Sequence, residues 1–171
     1  MRRLCLLFLL IGTYCYAGER KYTVDSPDGK IQLAIIQTDA GELTYQLSVK
    51  RKQVIDASAL GFKTEDGLTF PFRGWKMGKV TRNKVNSVWK PLWGKRAVVP
   101  DKYNEMKLSF VNEAKSSDAL EVVARAYNEG VAFRYVSPQD AGSALELTTF
   151  NFAGDYTAWF YNGERHNIGP E

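Results

Sequence analysis

Apolar residues recur at every second position along most of this chain, and that period admits strands and excludes helices. "LTYQLSV" (43–49) places Leu43, Tyr45, Leu47 and Val49 on one face. Alternation of this kind marks a strand with one buried side. "IQLAIIQ" (31–37) is a β-branched run, and "TDAGE" between the two is a turn-sized break around Gly41, so the pair reads as a hairpin. Upstream, "SPDGK" (26–30) is a turn, with Pro27 presetting φ and Gly29 tolerating a positive φ.

The same period returns downstream. "MKLSFVN" (106–112) turns Met106, Leu108 and Phe110 inward, and "LEVVARAY" (120–127) does so with Leu120, Val122, Ala124 and Ala126. "VAFRYV" (131–136) and "ALELTTFNF" (144–152) are further predicted strands. No stretch of ten residues or more carries the helical period. Many short strands separated by Gly, Asn and Asp turns predict an all-β, antiparallel β-sandwich or barrel. The middle, 66–104, is less regular: strands are expected around 76–81 and 85–90, followed by a loop over "PLWGKRAVVPDKYNE" (91–105).

The first seventeen residues are of another kind. Arg2 and Arg3 precede the apolar "LCLLFLLIGTYCY", and "CYA" ends on a small residue before Gly18. This reads as a signal peptide over 1–17, leaving a domain over 18–171. The apolar run is shorter than the ~20 residues that span a bilayer, which disfavours a membrane anchor. A lipoprotein at Cys15 is disfavoured by bulky Tyr14 before it. Both cysteines, Cys5 and Cys15, lie in this leader, so the mature chain has neither disulfide nor thiol nucleophile. A cysteine-free exported protein suits a bacterial periplasm, with no membrane contact after cleavage. The formal charge of +4 includes Arg2 and Arg3, and no basic run exceeds "KRK" at 50–52. Nucleic acid is therefore not the expected partner.

The chemistry on offer is narrow. The one histidine, His166, lies five residues from the end of the sequence, a poor position for a Ser-His-Asp triad or a histidine metal cluster. Carboxylates for sugar hydrolysis are available at Glu105, Glu129, Asp155, Glu164 and Glu171, but that mechanism needs two of them flanking one bond. Trp89 and Trp93 serve either as core or as sugar-stacking rings. "RAYNEGVAFRY" (125–135) is a hairpin whose turn calls for positive φ at Gly130. It sets Arg125 near Arg134, with Glu129 available to compensate them. The chain ends on "AWFYNGERHNIGPE" with no closing strand, so the sandwich is expected to be incomplete and the chain a fragment.

Five stretches in order, "SPDGKIQLAI", "LTYQLSVKRKQVIDASALGF", "LWGKRAVVPDKYNEM", "LEVVARAYNEGVAFRY" and "ELTTFNF", resemble the N-terminal domain of glycoside hydrolase family 97 over about residues 22–160. The matching positions are Trp93, Gly94, Tyr103, Asn104, Glu105, Arg125, Gly130, Phe133 and Arg134. The resemblance implies a galactose-mutarotase-like supersandwich packed on a C-terminal (β/α)8 barrel that holds the catalytic carboxylates. It implies a periplasmic, calcium-dependent, exo-acting α-glucosidase or α-galactosidase of Bacteroides-like bacteria, with no catalytic residue in this chain. Trp93, Tyr103, Asn104 and Glu105 are then candidates to meet carbohydrate, and Glu164 and Glu171 are positional candidates for a calcium ligand. Arg125, Glu129 and Arg134 would mainly hold the sandwich. A freestanding sugar-binding module and a bare docking domain are the alternatives.

Overall fold

The computed structural model describes residues 19–157 apart from 66, 68, 72–73, 114–118 and 138–141. Strands β1 (Arg20–Asp25), β2 (Ile31–Gln37), β3 (Leu43–Val49) and β4 (Lys52–Leu60) form one antiparallel sheet in sequence order. Short strands β5 (Phe62–Thr64) and β6 (Thr69–Phe70) follow. Two long strands, β7 (Trp75–Trp89) and β8 (Val99–Asn112), then join β9 (Ala119–Ala126) and β10 (Val131–Val136) in a second sheet of order β10-β9-β8-β7. The last strand, β11 (Ala144–Glu146), pairs with β5 in a small third sheet. The two four-stranded sheets face each other across one core, so the all-β sandwich read from the sequence is the fold, with no helix among the described residues.

Alternation explains the core. Leu33, Ile35, Leu43 and Tyr45 from the first sheet meet Met106, Leu108, Phe110, Val122 and Ala124 from the second, all buried. At one end an aromatic cluster centres on Phe70, whose ring centroid is 5.2 Å from both Trp75 and Phe110. Tyr135 joins this cluster, and burial pushes its hydroxyl up to about 12. Rings at these separations and tilts gain edge-to-face contact beyond the area they bury.

The turns obey their residues. In "SPDGK", Gly29 takes φ +71° and its amide donates to the Ser26 carbonyl at 2.9 Å. In the β2–β3 loop, Gly41 is likewise left-handed and donates to the Thr38 carbonyl.

Three expectations fail. First, 76–90 is not two strands. It is one ribbon strand, β7, with a bulge between Met77 and Val80, and the expected loop over 91–105 ends at Val98, with β8 beginning at Val99. Trp75 through Trp89 pair with β8 almost without interruption, and that long-range ladder overrides the irregular apolar pattern. Second, "ALELTTFNF" is a strand only at Ala144–Glu146. Beyond it the chain runs along β4, with Leu147 donating to Gly61 and Thr149 to Ala59, and with a single bridge from Phe152 to Ile55. Third, Gly130 is not left-handed: the turn closes by the Tyr127 amide donating to the Gly130 carbonyl at 2.8 Å.

Candidate functional site

Strand β8 carries three of the four residues singled out for carbohydrate, and alternation divides them between its faces. Met106, Leu108 and Phe110 fix the even positions as the core-facing side. Asn104 shares that side, and Tyr103 and Glu105 point away from it. Asn104 lies past the end of the apolar core, where its Nδ2 donates to the Asp25 carbonyl at 2.7 Å. Arg82 on β7 does the same to the Thr23 carbonyl at 3.2 Å. Both tie the second sheet to the backbone of β1. Between them opens a polar cleft of about 630 Å³, lined among others by Asp25, Ser26, Arg82, Lys84, Asn104 and its neighbour Glu105.

On the opposite face, the register of β8 with β9 sets Glu105 across from Arg125. Arg125 Nε donates to Glu105 Oε2 at 2.8 Å, and Lys107 Nζ stands 3.8 Å from the other carboxylate oxygen. The guanidinium carbon of Arg125 lies 4.3 Å over the Tyr103 ring, and Tyr127 packs 5.1 Å from that ring. Glu105 and Tyr103 are each only 6% exposed. Burial raises the Tyr103 hydroxyl, whereas the bond to Glu105 drives Arg125 above its ordinary range. This is a charge-compensated clamp with a buried carboxylate, a partly exposed guanidinium and that cation over an aromatic face.

The compensation expected from Glu129 is absent from this clamp. Glu129 sits exposed in the turn, and the carboxylate that binds Arg125 comes from Glu105 on the neighbouring strand. Arg134 is exposed and pairs in register with Val123, so it lies diagonal to Arg125 rather than across from it. The sequence motif "YNE" gave no sign of this partnership, because the two groups meet only through sheet register.

Trp93 lies elsewhere. It sits in the loop between β7 and β8 and is 88% exposed. The clamp and the tip of this hairpin are therefore separate surfaces. Trp89, read with Trp93 as either core or sugar-stacking ring, is also exposed, as are Leu92, Val88 and Val98, which were not singled out for binding.

Glu164, Glu171 and His166 lie outside the described residues, as does the stretch 1–17 read from the sequence as a leader. Among the described residues, no three or more His, Cys, Asp or Glu side chains stand together as a metal site. The described residues thus supply no calcium cage. What they do supply is positioning: a clamp with its charges already spent on each other, a polar cleft, and an exposed apolar hairpin tip.

The family described as "Glycosyl-hydrolase 97 N-terminal" matches residues 24–171. A Streptomyces bingchenggensis protein named "Probable retaining alpha-galactosidase" is 29% identical over 94% of this chain and 26% of its own length. The "Retaining alpha-galactosidase" of Bacteroides thetaiotaomicron is 23% identical over 92% of this chain and 25% of its own. The chain thus spans about a quarter of the length of these curated relatives. Among solved structures, a Glycoside Hydrolase Family 97 enzyme from Pseudoalteromonas sp. strain K8, in complex with panose, superposes with a TM-score of 0.67 at 34% identity. The match covers 77% of this chain and 20% of that one.

Proposed function

This chain belongs to the glycosyl-hydrolase 97 N-terminal family, and from that membership we propose that it is the leading domain of an exported, exo-acting α-glycosidase. Its task is to support and partly wall an active site whose catalytic carboxylates lie in a C-terminal (β/α)8 barrel. The observation that carries this reading is the family match over residues 24–171 joined to a span of only a quarter of each curated relative. The substrate class is α-galactosides or α-glucosides, which the names of the relatives and the panose complex support. Export rests on the leader over 1–17, with the periplasm as destination. Calcium belongs to this reading only through ligands beyond the described residues, with Glu164 or Glu171 contributing one.

Within it, the four carbohydrate candidates divide. Tyr103 and Glu105 are held by Arg125 and serve the sandwich. Asn104 faces the polar cleft and Trp93 is open to a ligand. The exposed rings of Trp89 and Trp93 favour a second reading, a sugar-binding module that works alone.

The test is to follow the coding frame past codon 171 and assay its product on nitrophenyl α-galactoside and α-glucoside. A frame continuing for several hundred codons, with hydrolysis by the long product and none by the 171-residue chain, is expected. A stop after codon 171, together with sugar affinity in this chain, would overturn the first reading in favour of the second.

A further inference from the structure

The β7–β8 hairpin reaches past the sandwich. Strand β9 pairs with β8 only from Asn104 onward, so 85–89 and 99–103 form a ribbon of two strands with no third strand paired to it among the described residues. A two-stranded ribbon alone in water is marginal. This one nevertheless carries apolar side chains on both faces, since consecutive residues Val88 and Trp89 project to opposite sides. Val98 adds to them, and at the end of the loop Leu92 is 99% exposed and Trp93 nearly as much. Between positions 84 and 102 the charges are Lys84, Lys90, Lys95, Arg96 and Lys102 against one acid, Asp101.

We propose that this arm is a docking device that inserts Trp89, Leu92 and Trp93 into an acidic, apolar-floored groove on the catalytic part of the same parent polypeptide. The inference rests on the proposed function above. The arm's positive charge selects an acidic surface, and its apolar faces need a cover on both sides, as a groove gives and a flat surface does not. The tether supplies the partner at high effective concentration. The chain spans only a quarter of its curated relatives, so most of the surface available to cover the arm would lie in the rest of such a polypeptide. Exposed tryptophans flanked by cations are typical anchors of such contacts.

Lys95 and Arg96 make the tip a trypsin target. The 171-residue chain and the long product of the same gene are digested side by side, and cleavage after Lys95 and Arg96 is followed by mass spectrometry. The expected result is tip cleavage at least about tenfold slower in the long product, with the protection lost in the double variant L92S/W93S. That variant should leave the thermal melt of the 171-residue chain unchanged, because both side chains are exposed. Equal cleavage in both proteins would overturn the docking proposal and leave the glycosidase reading standing. So would protection of the short chain by phosphatidylglycerol vesicles, by its own dimerisation or by maltotriose, each of which assigns the tip to another occupant. A gene that stops at codon 171 would remove the glycosidase reading itself, and the docking proposal with it.

Discussion

Arg125 is held between Glu105 and Tyr103, with its Nε 2.8 Å from the carboxylate and its guanidinium carbon 4.3 Å above the ring. Residues twenty positions apart are joined here by the β8–β9 register. Arg125→Ala leaves a buried carboxylate with only Lys107 nearby, so it should destabilise the domain by roughly 2–4 kcal/mol. Arg125→Lys should recover only part of this, because lysine lacks the planar fork. Urea denaturation of the three proteins measures it. Wild-type stability in the alanine variant would show that the clamp contributes nothing.

Lys50 and Arg51 form the two-residue turn between β3 and β4 with φ of +50° and +67°. A hairpin turn of this hand favours Asn-Gly. Both side chains are exposed, so the replacement touches no packing. The double variant Lys50→Asn, Arg51→Gly should raise stability by about 1 kcal/mol, seen as a higher melting temperature. A lower melting temperature would mean that these cations do something beyond making the turn.

Gly61 sits where the chain passes from β4 to β5. A Cβ there would stand 2.5 Å from the Phe70 carbonyl oxygen and 3.0 Å from the Pro71 ring. Backbone must move to admit it, and Phe70 is the centre of the aromatic cluster. Gly61→Ala should therefore cost about 1–3 kcal/mol. Near-ultraviolet circular dichroism should weaken with it, and an unchanged spectrum with unchanged stability would refute the clash.

Ser58 is fully buried and bridges two segments: its hydroxyl donates to the Asp56 carbonyl at 2.8 Å and accepts from the Asn151 amide at 2.9 Å. Ser58→Ala should cost about 1–2 kcal/mol. It should also raise amide hydrogen exchange at Asn151 before it affects exchange in β8. Uniform change across both sites would argue against a local seam.

Asp28 accepts hydrogen bonds from the Ser26 hydroxyl at 2.7 Å and from the Lys30 amide at 3.1 Å, and it pairs with the Lys30 ammonium. Led by the Ser26 bond, these hold its carboxyl down from 3.8 to about 2. The folded state thus favours the charged form. Its stabilisation is present above the unfolded value and is lost as pH falls from about 4 towards 2. Asp28→Asn should flatten the acid side of the stability profile in that window and leave the neutral-to-alkaline side parallel to wild type. An identical acid limb in both proteins would remove Asp28 from the account.

The strands around the core were legible because burial and period coincide. Met106, Leu108 and Phe110 are inward in the sequence pattern and fully buried in the fold. "SPDGK" was legible because its turn is made by its own residues. The reading fails where the determining partner is distant. Leu147, Phe150 and Phe152 look like the continuation of the strand that holds Leu145, yet they are exposed and follow the irregular edge of β4. Trp93 and Tyr103 stand ten residues apart in one candidate site. In the fold one is at the tip of a ribbon and the other is stacked under a guanidinium.

The sequence by itself determined that this chain is all-β and antiparallel, since a period of two leaves each strand one apolar face to bury, and pattern alone left a sandwich or a barrel. Its ordered motifs also determined the family. Only the tertiary structure decided that Arg125 answers to Glu105 and not to nearby Glu129, and that β7 and β8 run on as an arm beyond their neighbours. The reason is the same in both cases. Alternation is a property of one strand, whereas register and strand overhang are properties of pairs, fixed by backbone hydrogen bonds between segments far apart in the chain.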